Sequence, residues 1–288
     1  MENKTLLVVG LGYSGSAIAA LSAMAGARVI GTTRNLKGSP KPTGMELVSF
    51  DDVAPYALAT HLLVTAPPDA KGDPVWAAHA QALKSASLHW VGYLSTTGVY
   101  GDRGGAWVEE RTAPAPGQER SRRRLEAEQQ WSAFGGTTAV DLFRTAGIYG
   151  LGRSAMDDVR AGTARQVRKP GHAFGRIHRD DIARAVLAAM AKSTPGIRVL
   201  HLVDDEPAES ADVACEAARL MGTAPPPEAP FAEAWEQMSE MGRSFWSENR
   251  RIANTRTKTA LGIDWAYPSY REGLRAILAE ERAQRTTE

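Results

Sequence analysis

The sequence predicts an α/β protein, a doubly wound parallel sheet with a smaller C-terminal lobe. Three observations carry that expectation: an apolar strand that runs through a glycine-rich turn into an apolar-faced helix within residues 4–25, strand and helix patterns that alternate as far as residue 144, and a looser, mostly helical remainder. Parallel strands need long crossovers, and helices supply them.

The first element, Lys4 to Val9, reads as a short buried strand. Gly10-Leu11-Gly12-Tyr13-Ser14-Gly15 follows as G-x-G-x-x-G, after which Ile18, Leu21 and Ala25 recur at helical spacing. Each glycine has a separate task. Gly10 takes the tight turn, Gly12 lets backbone approach a diphosphate without a Cβ in the way, and Gly15 lets the helix pack closely on the strand. The first-turn amides at Tyr13 and Ser14 then face the anion, helped by the helix dipole. A strand from Ala27 to Arg34 completes the βαβ unit, and its last residue meets the adenosine ribose in such sites. Asp or Glu there would accept from the ribose hydroxyls of NAD. Arg34, with Thr32 and Thr33 beside it, suits the additional phosphate of NADP (NADPH), although an arginine that extends into solvent is the competing reading.

Strands are expected next at Glu46 to Phe50 and His61 to Thr65. The second runs into Thr65-Ala66-Pro67-Pro68, where proline stops the ladder at the carboxyl edge. That placement puts Thr65, Ala66 and Pro67 on the cofactor side of the sheet. A helix begins with Asp73 as N-cap and Pro74 at its first position, with Val75, Ala78, Ala82 and Ala86 facing inward. Trp90 to Leu94 is a strand, Gln118 to Phe134 a polar helix, and Thr138 to Arg144 a further strand. From Gly150 the pattern loosens: Gly152-Arg153-Ser154 opens a basic helix, Lys169-Pro170-Gly171 makes a turn, and Ile182 to Met190 is an apolar-faced helix. Arg198 to Val203 returns as a late strand. The expected division is a dinucleotide-binding domain over residues 1–150, rejoined by 176–203, with 151–175 and 204–288 forming the substrate lobe.

Composition narrows the partners. The 288 residues are 43% hydrophobic, and 34 basic against 33 acidic side chains leave a formal charge of +1, so no overall field attracts nucleic acid or an anionic membrane. No run approaches the roughly 20 apolar residues of a membrane span. A strand at Lys4 leaves no room for a signal or transit peptide, so a cytoplasmic location is expected. Cys215 is the single cysteine and has no intramolecular disulfide partner. The arginine run Arg120 to Arg124 reads as a solvated helix face, because Glu119, Glu126 and Glu128 interleave with it.

The ordered set of segments resembles the extended short-chain dehydrogenase/reductase superfamily, the NAD(P)-dependent epimerase/dehydratase-like group, across nearly the whole chain. It comprises Gly10 to Gly15, Leu94-Ser95-Thr96-Thr97-Gly98-Val99-Tyr100-Gly101, Arg144-Thr145-Ala146-Gly147-Ile148-Tyr149-Gly150, Arg176-Ile177-His178-Arg179-Asp180-Asp181-Ile182-Ala183 and Val199 to Asp204. The resemblance implies a Rossmann domain, a hydroxyl at Thr96 on the reacting oxygen, and a cofactor crevice lined by the segments of Ile148 and Tyr149. It also implies a Tyr-x-x-x-Lys pair, but that register falls on Arg120-Ser121-Arg122-Arg123-Arg124, while Glu128 matches a Glu that often follows. Arg124 retains a positive charge for the nicotinamide ribose. Arg120 stays protonated near neutrality and cannot serve as general acid or base. The pattern looks like the atypical branch of the superfamily.

A reductase needs a proton donor near the developing oxyanion, and Tyr100, Tyr149 and His178 qualify by position. Their competing readings are pocket walls for the tyrosines and a hydrogen bond to Asp180 or Asp181 for His178; Asp181 is expected to cap the following helix. Three functions stay open: an NADP-dependent oxidoreductase acting on a small carbonyl or imine-like substrate, a non-catalytic NADP(H)-binding redox sensor, and a nucleotide-sugar epimerase-like enzyme. Trp235, Phe245 and Trp246, with Arg243, Arg250 and Arg251 nearby, offer walls for an acidic, partly apolar substrate or ordinary core. Dimerisation through two helices is common in the family.

Overall fold

Alternation along each strand sends side chains to opposite faces, and here both faces are dry. Leu6, Val8, Leu63, Trp90 and Phe143 point into one core, where Ile18, Ile182 and Val186 meet them; Leu7, Val9, Leu62, Val64, Val91 and Leu142 point into the other, with Ile30, Tyr93 and Trp131. Burial on both sides is what a wholly parallel sheet requires, and each such aliphatic or aromatic side chain contributes about 1.5–3 kcal/mol. The computed structural model describes residues 3–37 and 44–287.

Seven strands, β1 (Thr5–Val9), β2 (Arg28–Thr33), β3 (Met45–Ser49), β4 (His61–Val64), β5 (Trp90–Thr96), β6 (Ala139–Thr145) and β7 (Gly196–Leu202), pair in parallel in the order 3-2-1-4-5-6-7. The helices α1 (Tyr13–Met24), α2 (Ala54–Leu58), α3 (Pro74–Ser85) and α4 (Glu119–Ser132) fall between the first six strands. After β6 the chain forms α5 (Ala155–Arg160) and α6 (Arg179–Ala191), and after β7 it continues as α7 (Ser210–Met221), α8 (Phe231–Gln237), α9 (Glu240–Trp246), α10 (Thr255–Leu261) and α11 (Tyr270–Thr287). Side chains of α5, α7 and α11 form a separate apolar cluster around Met156, Val213, Tyr270 and Leu274. Among the described residues, no helix is long and apolar enough to cross a membrane.

Asp73 caps α3 as expected, accepting from the amides of Val75 and Trp76 at 2.9 Å. The inward face is as expected at Val75, which is buried, and at Ala82 and Ala86, which are half-buried against the same core, but Ala78 is exposed; His79, where the backbone is non-helical, and Leu83 complete the buried face. The helix after Ser154 is not basic. Its first turn carries Asp157 and Asp158, and Asp157 closes a capping box with Ser154. Asp181 does not cap α6. His178 holds that position, and the buried Asp181 carboxylate accepts from the amides of Ala266 (2.8 Å) and Tyr267 (2.9 Å), tying α6 to the segment before α11.

Candidate cofactor and substrate site

Strand order reverses between the neighbours β1 and β4, whose carboxyl ends open the crevice where ligands of such sheets bind. There Gly10 takes φ +109°, and a Cβ on it would lie 2.7 Å from Thr65 Oγ1 and 2.9 Å from the Ala66 nitrogen. Any Cβ on Gly15 would collide with the Gly10 carbonyl oxygen. Gly12 caps α1, and none of the described residues lies within 4 Å of the place its Cβ would take. The turn is therefore closed behind and open in front. Thr65 closes it, its hydroxyl donating to the Gly10 carbonyl while the amides of Thr65 and Ala66 reach Val9 O at 3.0 and 3.3 Å. Pro67 follows on the surface. Buried Ser14 and half-buried Tyr13 begin the helix, with the Tyr13 hydroxyl donating to Leu151 O (3.0 Å).

Arg34 stands just past β2, exposed, its guanidinium 5.6 Å from the centroid of the Phe50 ring. The Thr33 hydroxyl accepts from the Asn35 amide at 3.2 Å. Phe50 was absent from the expected site; the readable signal is an aromatic residue directly beyond the end of β3.

Thr96 ends β5 and is half-buried. Its Oγ1 accepts from the Gly98 amide at 3.1 Å, which leaves its own proton free to donate. Ser121 is buried in α4 with its Oγ 2.7 Å from the position of a Cβ on Gly98. It was also missed, being the one uncharged residue within the arginine run. Arg124, one turn on, donates to Leu94 O (2.8 Å) and lies over the Tyr93 ring (5.6 Å), at the carboxyl end of β5. Arg120 lies 5.2 Å from the Phe245 ring of α9; burial and Arg124 push its pKa down, and Glu248 pushes it up. Arg122 and Arg123 pair with Glu119, as a solvated face should. Glu128 does not share in that face: it is buried against Arg144.

Two proposed proton donors fall elsewhere. The Tyr100 hydroxyl is fully buried, accepts from Arg144 Nη1 (2.8 Å) and lies 2.5 Å from His201 Nε2, and burial raises its pKa. Its ring packs with Val99, Val108, Val203 and Ile252 instead of facing the crevice. Tyr149 turns the other way, into the α5/α7/α11 cluster, its hydroxyl donating to Ser269 O (3.3 Å) against Gly273, with a pKa raised by burial and by Asp204 and Asp181. In both, packing within apolar clusters outweighs proximity in sequence to the sheet edge. Neighbouring Ile148 is half-buried in a short strand, Gly147–Tyr149, that pairs in parallel with Arg176–His178.

His178 is buried between Tyr267 (4.1 Å between ring centroids) and Tyr149 (5.2 Å). Nδ1 accepts from the Asp180 amide at 3.2 Å, so the neutral ring carries its proton on Nε2, which has no hydrogen-bond partner among the described residues. Burial lowers its pKa, opposed by Asp180 and Asp181. The structure thus gathers the glycine turn, Thr65, Arg34, Thr96 and Arg124 along the carboxyl edge of the sheet and separates Tyr100 and Tyr149 from them.

No protein-family model matches the chain. A solved structure of a functionally unknown conserved protein from Silicibacter pomeroyi DSS is 42% identical, covers 97% of this chain and 99% of its own, and superposes with a TM-score of 0.89. The human epimerase family protein SDR39U1 (isoform 2), solved with NADPH, shares the fold at 19% identity, covering 95% of this chain and 98% of its own with a TM-score of 0.76. A 3-diazoavenalumate denitrifying reductase from a Streptomyces species is 37% identical over 98 residues; the match spans 34% of this chain and only about a third, 32%, of that reductase. The parallel order 3-2-1-4-5-6-7, the glycine turn at its reversal and these likenesses agree: the chain belongs to one family with the Silicibacter pomeroyi protein and has the Rossmann-like fold that the NADPH-bound epimerase family protein also has.

Proposed function

We propose that the protein is an NADP-dependent oxidoreductase acting on a small carbonyl or imine-like substrate at the Thr96 edge of the sheet. The observation that carries the reading is the shared edge itself: the open Gly12 face, exposed Arg34 at the ribose end, and Thr96 with an uncommitted hydroxyl proton. When bound, NADPH supplies the hydride. The amides of Tyr13 and Ser14 hold its diphosphate, Arg34 pairs with the ribose phosphate while Phe50 supports the guanidinium, and Arg124 keeps a positive charge beside the nicotinamide end. Thr96 donates a hydrogen bond to the substrate oxygen or nitrogen as negative charge develops there. With the hydroxyls of Tyr100 and Tyr149 committed inside the protein and the His178 ring buried and neutral, the proton comes from water.

Arg34→Asp is expected to weaken NADPH binding by about 1–3 kcal/mol and to leave NADH much less affected, read by calorimetric titration of both coenzymes. Unchanged NADPH affinity would remove the NADP assignment. NADPH oxidation with a panel of aldehydes, ketones and imines tests the chemistry; Thr96→Val is expected to lower kcat by about 10²-fold or more, as loss of an oxyanion donor does. The second reading, a redox sensor without turnover, is favoured by Arg120 at the position of the acid/base tyrosine. NADPH binding with no oxidation across the panel, and no effect of Thr96→Val on that binding, would establish it.

A further inference from the structure

Away from the glycine turn, α8 and α9 shape a second concavity. Phe231, Trp235 and Trp246 wall a cleft of about 300 Å³ together with Lys169, Ala232, Glu236 and Ser247. The ring centroids stand 5.7 Å (Phe231 to Trp235) and 5.4 Å (Phe231 to Trp246) apart, with interplanar angles of 46° and 53°. Trp246 is held from behind by stacking on His172 at 5.3 Å and by the edge of Phe174 at 4.8 Å. The walls are thus π-surfaces in fixed and differing orientations, the geometry in which a third flat ring finds offset and edge contacts at once.

Lys169 is the cation of the lining, while Arg243, outside it, lies 5.7 Å from the Trp235 ring centroid. Lys169 Nζ donates to Trp246 O at 2.7 Å and lies 5.3 Å from the Phe231 ring centroid, and it makes no ion pair with a carboxylate among the described residues. An ammonium has three donors, and the Trp246 carbonyl takes one. The acid in the lining does not neutralise it: the Glu236 side chain is 79% exposed and lies 3.8 Å from Arg243. The chemistry asks for a ligand that is flat, apolar over most of its surface and negatively charged at one end. The volume, at the lower bound of small-molecule pockets, asks for a small one.

The cleft reaches the start of α4, the helix whose Ser121 packs on Gly98 just after Thr96. Ser247 accepts from Gln118 Nε2 (3.0 Å) at the start of α4, and Phe245, next to Trp246, lies under Arg120 of the same helix. Resting on the oxidoreductase reading above, we propose that this cleft is the substrate's recognition subsite and that the substrate class is an aryl carboxylate, its ring between Phe231, Trp235 and Trp246 and its carboxylate on Lys169. The reducible group then extends along α4 toward Thr96.

The test uses the full chain without coenzyme, titrated calorimetrically with cinnamate, cinnamyl alcohol and cyclohexanecarboxylate. Cinnamate is expected to bind one to one at millimolar concentration or below, about tenfold more tightly than either analogue, which lack the charge or the ring. Trp235→Ala and Lys169→Gln, at positions that are not part of the core, are each expected to weaken it about five- to tenfold with the far-ultraviolet dichroism unchanged. Absence of cinnamate binding at about 10 mM, equal binding of all three probes, or equal binding by both variants and the unaltered protein overturns the proposal. Coenzyme is absent from the titration, so failure of NADPH uptake sinks the oxidoreductase reading without touching this result, and the reverse also holds.

Discussion

Replacing Arg144 with Met is expected to cost about 3–5 kcal/mol of folding stability, the penalty for leaving a buried charge without its partner. Glu128 and Arg144 meet at 2.7 Å with side chains only 3% and 6% exposed, and the guanidinium also donates from Nε to Glu128 Oε1 at 3.1 Å. Ser95 donates to the same carboxylate at 2.5 Å, and Arg144 Nη1 reaches the Tyr100 hydroxyl. The remainder of the web is equally dry: Tyr100 meets His201 Nε2, whose Nδ1 donates to Ala253 O at 2.7 Å. Removing both charges with Glu128→Leu and Arg144→Met together is expected to cost clearly less than Arg144→Met alone. Urea unfolding of the two single variants and the double variant measures this, and additive losses would show that the pair is not coupled. Ser95 precedes Thr96 directly, so Arg144→Met is also expected to lower turnover more than NADPH affinity.

Acid is expected to remove up to about 3 kcal/mol of stability through one histidine at the opposite, amino-terminal edge of the sheet. His61 is buried at the start of β4, with Lys4 Nζ 3.0 Å from its Nε2 and Thr60 Oγ1 2.8 Å from its Nδ1. A lysine can only donate, so Nε2 accepts and the ring is neutral. Burial first, then Lys4 and His89, lower its pKa to about 4. Above pH 7 neither folded nor unfolded chain is protonated at this residue, and it adds no pH dependence. Between about 6.5 and 4 the unfolded chain takes up a proton that the folded one refuses, so stability falls as pH falls; below that range the loss is complete. Comparing unfolding free energies of the unaltered protein and His61→Leu from pH 8 to pH 4 isolates this contribution. Parallel profiles would show that His61 is not responsible. His79, His172, His178 and His201, whose pKa values burial also lowers, steepen the same limb.

What the sequence disclosed is what local chemistry governs. Gly10, Gly12 and Gly15 sit where the turn needs them because a strand, a turn and a helix impose those constraints within a few residues, and the Asp73 cap is equally local. The inward face of α3 departs from the expected one at Ala78, because alanine is apolar without being large: His79 and Leu83 fill the surface the sheet supplies, beside Val75, Ala82 and Ala86. The fates of Tyr100 and Tyr149 depend on partners far along the chain, Arg144 and His201 for one, Ser269 and Gly273 for the other, and no spacing rule announces them. Asp181 looked like a cap because its partners, the amides of Ala266 and Tyr267, are supplied about 85 residues later. For the same reason Glu128 looked like part of a surface salt-bridge ladder, although Arg144 claims it from within.

The hydroxyl of Thr65 latches the Gly10 carbonyl, so the turn is held by the protein's own hydrogen bond. A phosphate chain settling there meets a mould already set, and little conformational entropy is spent shaping the loop around it.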